Sequence, residues 1–267
     1  MTRINTNVLS LSAQMTLARS NAQLQTAMTR LSTGLRINAA KDDPAGLMAS
    51  ECLSSSTAEA ASRVSAAQRQ SAMIATADGA LGQVSSLLDD IRGLVQQSAN
   101  TGALSQEEIA ANQLGIDSSL EAIHRIIATT SFAGQKLLDE GTVAQLRIGD
   151  VMAQAGRSLT TLATGGASAL GGMNSQAADK VVSEVMSQVS ELRGRLGAFQ
   201  VATLESSMAS LWTLQERLSA AQSAITDADF AAETASRTRS QILVQSGTSV
   251  LWLANSSPQR VLSLLGG

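Results

Sequence analysis

The chain has 267 residues, 44% of them hydrophobic and 15% charged, with a formal net charge of −3. Three Phe, two Trp and no Tyr offer no platform for stacking bases, and the mixed charge makes no basic stripe, so nucleic acid is excluded as a partner. One His and one Cys cannot build a metal centre or an internal disulfide, and no apolar run is long enough to cross a membrane.

In chain order, Val8, Leu11, Met15, Ala18 and Ala22 step by three and four, and Leu24, Met28, Leu31 and Leu35 continue after a phase shift. This spacing predicts a helix with an apolar face that needs a partner. Gly34 weakens that helix. Asp43 before Pro44 reads as an N-cap with proline at the first helical position. The stretch from Arg30 to Gly46, RLSTGLRINAAKDDPAG, is therefore a helix end, a turn and a new helix start. No proline follows for a long span, and Leu81, Val84, Leu88, Ile91 and Val95 hold one seam. A helix from Pro44 to about Ser98 would be roughly 80 Å long. Ile109, Ile116, Leu120, Ile123 and Ile127 form the next seam, with Gln113 inside it.

Between Thr129 and Ser175 the helical period is lost. Ala144, Leu146 and Ile148 alternate with Gln145 and Arg147, and Gly149 with Asp150 offers a turn, which predicts a hairpin. GGASALGG, from Gly165 to Gly172, reads as an unstructured loop leading to a returning helix. That helix carries Val182, Val185, Val189, Leu192, Leu196 and Phe199, then Leu204, Leu211, Leu218 and Ile225 seven apart. The fold class expected is mainly α: an antiparallel coiled-coil rod of long helices with a small β-hairpin, both termini paired at one end. The terminal seams are thin, since alanines bury little, so those helices need neighbours.

Five segments carry a further signal: INTN at Ile4 to Asn7, the connector from Arg30 to Gly46, QSAN at Gln97 to Asn100, FAGQKLL at Phe132 to Leu138, and the ending from Ile225 to Gly267. Together, and in this order, they resemble bacterial flagellin. The resemblance implies a structural subunit that self-assembles into the flagellar filament for motility, with no enzymatic chemistry and no cofactor. It also implies release through the flagellum's own export channel to an extracellular filament, in line with first residues that lack a signal peptide. Residues 1–42 and 229–267 would be inner coiled-coil helices, 43–128 and 176–228 rod helices, and 129–175 the hairpin with its Gly-rich loop. Subunit contacts are expected at Val8, Leu11, Met15, Leu24, Met28, Leu31, Leu35, Ile242, Leu243, Val250, Leu251, Val261, Leu262, Leu264 and Leu265. Asp42, Asp43, Pro44, Asp227 and Asp229 would form the spoke between the layers.

The partners implied are identical subunits, an export chaperone, and cap and junction proteins, with termini that are disordered in the monomer and order on stacking. One alternative is the hook-filament junction protein, which shares the terminal helices but fits the VLSLL ending, Val261 to Leu265, less well. Another is a secreted helical binding or signalling module, which predicts ordered termini in the monomer. The metalloprotease of some flagellins needs HExxH, which one histidine cannot supply.

Single residues have plainer readings. Met15, Met28, Met48 and Met73 read as gap-filling core, and Cys52 as a small buried residue. His124 reads as a solvated flank and Trp212 as a flank contact beside Leu211, while Trp252 faces another subunit or solvent. Asp42 and Asp43 with Lys41, and Asp227 with Asp229, read as caps and connector ion pairs that face one another. One patch departs from the family. Many flagellins place an Arg two positions before the residue matching Arg92, a Glu directly after it and an acid on the adjoining helix, and the innate Toll-like receptor for flagellin reads these. Here Asp90, Gly93 and Gly115 stand there, leaving Arg92 and Leu94, which implies weak receptor contact.

Overall fold

The computed structural model describes residues 6–99, 105–139, 142–143, 146–170 and 175–265, with no side-chain description beyond Ser256. Its helices are α1 (Val8–Thr33), α2 (Pro44–Ala99), α3 (Gln106–Thr129), α4 (Ile148–Thr160), α5 (Ser175–Phe199), α6 (Ser206–Thr226) and α7 (Phe230–Leu265). Two short antiparallel hairpins sit between α3 and α4: β1 (Ser131–Phe132) with β2 (Gln135–Lys136), and β3 (Thr142–Val143) with β4 (Leu146–Arg147). The mainly helical class with small hairpins is as expected from the seams. The chain divides into two compact units, 60–213 and the two terminal stretches 1–59 and 214–267.

In the unit 60–213 the seams are where the spacing puts them. Leu81, Val84, Leu88, Ile91 and Val95 of α2 are buried with Ile116, Leu120 and Ile123 of α3 and Val182, Val185, Val189, Leu192 and Leu196 of α5. Ser105 opens α3 with a reciprocal cap: its Oγ accepts the Glu108 N–H at 3.3 Å, and Glu108 Oε2 accepts the Ser105 N–H at 2.8 Å. Between α5 and α6 the backbone widens into a π-helical turn, Gln200–Glu205, which turns Leu204 inward. The exposed pair Arg193–Asp78, at 2.8 Å, raises the arginine's pKa, by hydrogen bond first and charge second.

Three expectations for 129–175 need correction. The first described hairpin lies earlier, at FAGQ, where Ala133 (φ 50°) and Gly134 (φ 84°) make the turn and Leu137 and Leu138 run into the core. The second is only two residues long on each side, because Ile148 leaves the strand pattern and begins α4, where Asp150 sits in the first turn paired to Arg147. The signal for α4 was present: Ile148, Met152, Ala155 and Leu159 step by four, three and four, and all are buried. Third, the part of the Gly-rich loop up to Leu170 is tied down. Gln113, buried in α3, donates from Nε2 to Leu162 O at 2.8 Å and accepts the Leu170 N–H on Oε1 at 2.9 Å, while Asp117 accepts the Thr164 N–H at 3.1 Å. Gly171 to Asn174 lie outside the described residues.

The plain readings of single residues divide as well. Met73 packs against the core, but Met15, Met28 and Met48 are exposed, and so is Cys52. Met15 and Met28 lie on the side of α1 that α7 leaves open, and Met48 and Cys52 on the exposed side of α2. His124 is exposed as a flank beside buried Ile123.

Candidate assembly surface

The terminal unit is built on an antiparallel pair. Asn7 caps α1 by accepting the Ser10 N–H at 3.0 Å, and its Nδ2 donates to Ala254 O of α7 at 2.8 Å. Ser10 Oγ donates to Asn255 Oδ1 at 2.7 Å, and at the other end Arg30 meets Glu233 at 2.8 Å. Between these ties the covered stripe on α1 is Ser10, Ala13, Leu17, Ser20, Leu24, Ala27 and Leu31, spaced three and four without a break. On α7 it is Glu233, Ser236, Ser240, Val244, Gly247, Leu251 and Ala254. Gly247 lies so near Leu17 that an added Cβ would stand 3.3 Å from Leu17 Cδ1. Small residues let the two backbones approach.

This corrects the expected terminal seam. Val8, Leu11, Met15, Ala18 and Ala22 each precede a covered residue by two positions, about 200° around a helix, so they occupy the opposite face. Val8 is 67% and Met15 66% exposed. On α7, Ile242, Leu243, Val250 and Trp252 are likewise open, at 60%, 46%, 47% and 71%. Leu24, Leu31 and Leu251 instead fall on the covered stripe and are half-buried; Met28 and Leu35 are exposed. The backbone of α7 continues to Leu265, but the side chains of Val261, Leu262, Leu264 and Leu265 lie outside the description.

The connectors form a clamp. Gly34 ends α1 at φ 74°, donating its N–H to Arg30 O at 2.9 Å. The chain then pairs with the turn before α7: Leu35 bridges Asp227, the Arg36 N–H donates to Thr226 O at 2.7 Å, and the Ala228 N–H donates to Gly34 O at 2.9 Å. Arg36 adds its side chain, with Nη2 2.7 Å from Ile225 O. The acidic residues work as turn and cap acceptors. Asp43 Oδ1 takes the Gly46 N–H at 2.9 Å, Asp229 Oδ1 takes the Ala231 N–H at 2.9 Å, and Asp42 Oδ2 takes the Ala39 N–H at 3.0 Å. Asp227 Oδ1 accepts the Thr226 hydroxyl at 3.1 Å. Gly46 has no room for a side chain, since a Cβ would lie 2.5 Å from Asp43 Oδ2 and 2.8 Å from buried Ile37. Arg36, Ile37, Asn7 and the Arg30–Glu233 pair were not singled out in the sequence; an Arg beside a glycine-ended helix and an Asn before an apolar run were the available signals.

Comparison with known proteins decides the family. The bacterial flagellin N-terminal helical region matches residues 4–142 and the C-terminal helical region matches 180–265. A flagellin of Halalkalibacterium halodurans is 37% identical over 98% of this chain and 99% of its own length. A flagellin of Bacillus subtilis and the flagellar filament 33 kDa core protein of Treponema phagedenis are each 34% identical over the same shares. The chain belongs to the bacterial flagellin family. It is a structural subunit of the extracellular flagellar filament, assembled from identical copies, and the family is structural, not enzymatic. The junction-protein alternative is not favoured.

Asp90, Arg92, Gly93, Leu94 and Gly115 lie in the unit 60–213. Asp90 and Gly93 are exposed on α2, and nothing stands within 4 Å of a Cβ added at Gly93. Leu94 turns onto α3, its Cδ1 3.0 Å from where a Cβ on Gly115 would be. Arg92 is turned toward Asp179 of α5 at 3.5 Å.

Proposed function

We propose that the open faces of α1 and α7 are the contacts between copies, with the terminal pair as the inner layer of the filament. The rod helices would form the outer layer and the clamp of Gly34–Asp43 with Thr226–Asp229 the spoke between them. The observation that carries this is the placement of Val8, Leu11, Met15, Ile242, Val250 and Trp252 away from the intramolecular stripe. Burying one such side chain is worth about 1.5–3 kcal/mol, so several per copy supply a driving force beyond that of the half-covered stripe within the chain. Ending the chain at Ala254 removes the last apolar run and should abolish filaments in the electron microscope while leaving the 60–213 unit folded by circular dichroism. Normal-length filaments from that chain would refute a role for the segment.

The same reading assigns an export chaperone to the C-terminal segment before assembly, and cap and junction proteins to the filament's two ends. It also makes this chain a poor ligand for the innate Toll-like receptor. Asp90 reverses the charge found in many relatives, and losing one partner of a buried interface pair costs about 2–5 kcal/mol, well over tenfold in affinity. A cell reporter dosed with monomer should respond weakly, and Asp90→Arg with Gly93→Glu should raise the response. A full response from the unaltered chain would contradict this.

A further inference from the structure

Among the described residues, methionine is divided between the two units by exposure. Met15, Met28 and Met48, at 66%, 55% and 74% exposed, belong to the terminal unit. In the unit 60–213, Met152 is buried in the core, and Met73, Met186 and Met208 are partly buried against it. Filling irregular core gaps accounts for the second group. It does not account for Met15, which fills no gap within its own chain and stands one turn from Leu11, a side chain that serves an apolar contact equally well without sulfur. What a thioether adds at an open position is reactivity, because its access to solvent governs how readily it takes up oxygen.

We propose that Met15 and Met28 are reversible oxidation sites, and that their sulfoxides keep a subunit out of the filament. The oxidant is a hydroperoxide, hydrogen peroxide in the simplest case. A lone pair of the methionine Sδ attacks one peroxide oxygen, the O–O bond breaks as the S–O bond forms, and the other oxygen leaves as water. The sulfur gives up two electrons and the peroxide takes them. An apolar side chain thereby becomes a polar one. On the free chain water solvates the new oxygen. In a contact built from side chains such as Val8 and Leu11 it loses that water without gaining a matching donor, so the modified face docks poorly. The fold of the single chain does not depend on either residue, since both lie on the side of α1 that α7 leaves open. A reductase supplied with a dithiol reverses the step: the sulfur returns to the thioether, the oxygen leaves as water, and the dithiol closes to a disulfide. Met48 lies on α2, outside the two helices whose open faces make the contact, so its sulfoxide is silent in assembly.

The proposal rests on the open faces of α1 and α7 being the subunit contacts. Its test uses two full-length chains, both with Cys52→Ser so that the exposed thiol does not react. One carries Met48→Leu and keeps Met15 and Met28; the other carries Met15→Leu with Met28→Leu and keeps Met48. Monomers are treated with hydrogen peroxide at a dose that leaves the Met152 peptide unmodified by mass spectrometry, freed of oxidant and added to filament seeds. Each chain is compared with its own untreated sample, and Met1 and Met173, common to both, cancel. In the first chain the concentration needed for growth should rise about tenfold, the order expected for losing the burial of one large apolar side chain. It should fall back after incubation with methionine sulfoxide reductases for both epimers. In the second chain peroxide should leave that concentration where it was. Equal loss in both chains, loss in neither or in the second alone, or a loss that reduction does not reverse overturns the proposal. Treating finished filaments checks the contact reading separately. Met15 oxidised there as fast as in monomers would overturn that reading, whereas Met15 protected in filaments together with normal growth of oxidised monomers overturns the oxidation sites alone.

Discussion

Asp43 accepts the Gly46 N–H at 2.9 Å, and the caps and turns of the connector rest on such short-range bonds. Removing this acceptor in Asp43→Ala should cost about 1 kcal/mol, read as a lower unfolding midpoint, with Asp90→Ala as the exposed control. Because the cap stands where α2 leaves the clamp, filament curvature should change before assembly fails. Unchanged curvature and an unchanged midpoint would contradict a geometric role. The caps were legible because an Asp-Pro pair has a local meaning that needs no partner. Arg36 was not, since its acceptor, Ile225 O, lies far along the chain and leaves no trace near residue 36. Gln113 was read correctly as a seam position. Its task of fastening Leu162 and Leu170 depends on a loop whose composition suggested no structure at all. Cys52 was misread because an average tendency of cysteine to be buried does not see which face of α2 is covered.

Among the elements, α2, α3 and α5 were legible because each has one apolar face and that face is buried. The spacing of α1 was read correctly, but its buried face was not. α1 has two faces with the same three-four period: Val8, Leu11 and Met15 of the expected seam lie on the open one, while Leu24 and Leu31 lie on the covered one. The covered one is fully buried only at Ser10, Ala13, Ser20 and Ala27, with Leu17, Leu24 and Leu31 half-buried between them, and the small residues give little apolar signal even though they permit close approach. α4 was missed for a related reason: thirteen residues beside a glycine-rich stretch looked like alternation over their first few positions. A pair held by small residues should open easily. Amide exchange on the isolated monomer should be fast before about Leu35 and after about Phe230, and slow at Leu81 to Ile91. Slow exchange in the termini would favour a self-sufficient helical module.

For the whole molecule, the contrast lies between how the two units satisfy themselves. Within 60–213 the described core includes Ile74, Leu81, Leu88, Ile91, Ile116, Ile123, Leu138 and Met152, all with under 3% exposure. Within the terminal unit, the described buried set is Ser10, Ala13, Ser20, Ala27, Ile37, Ser50, Ser240 and Ala254, with Ile37 the one large side chain. Of the seventeen large apolar residues described as exposed, fourteen belong to that unit; under the proposed assembly, copies would supply one another's missing face. The most direct test changes the open face and spares the covered one. A chain with Val8→Ser, Leu11→Ser and Met15→Ser keeps Ser10, Ala13, Leu17 and the Arg30–Glu233 pair. Seeded polymerisation followed by electron microscopy should give no filaments, while circular dichroism shows a monomer folded like the unaltered one. Filaments of normal length from that chain would contradict the account.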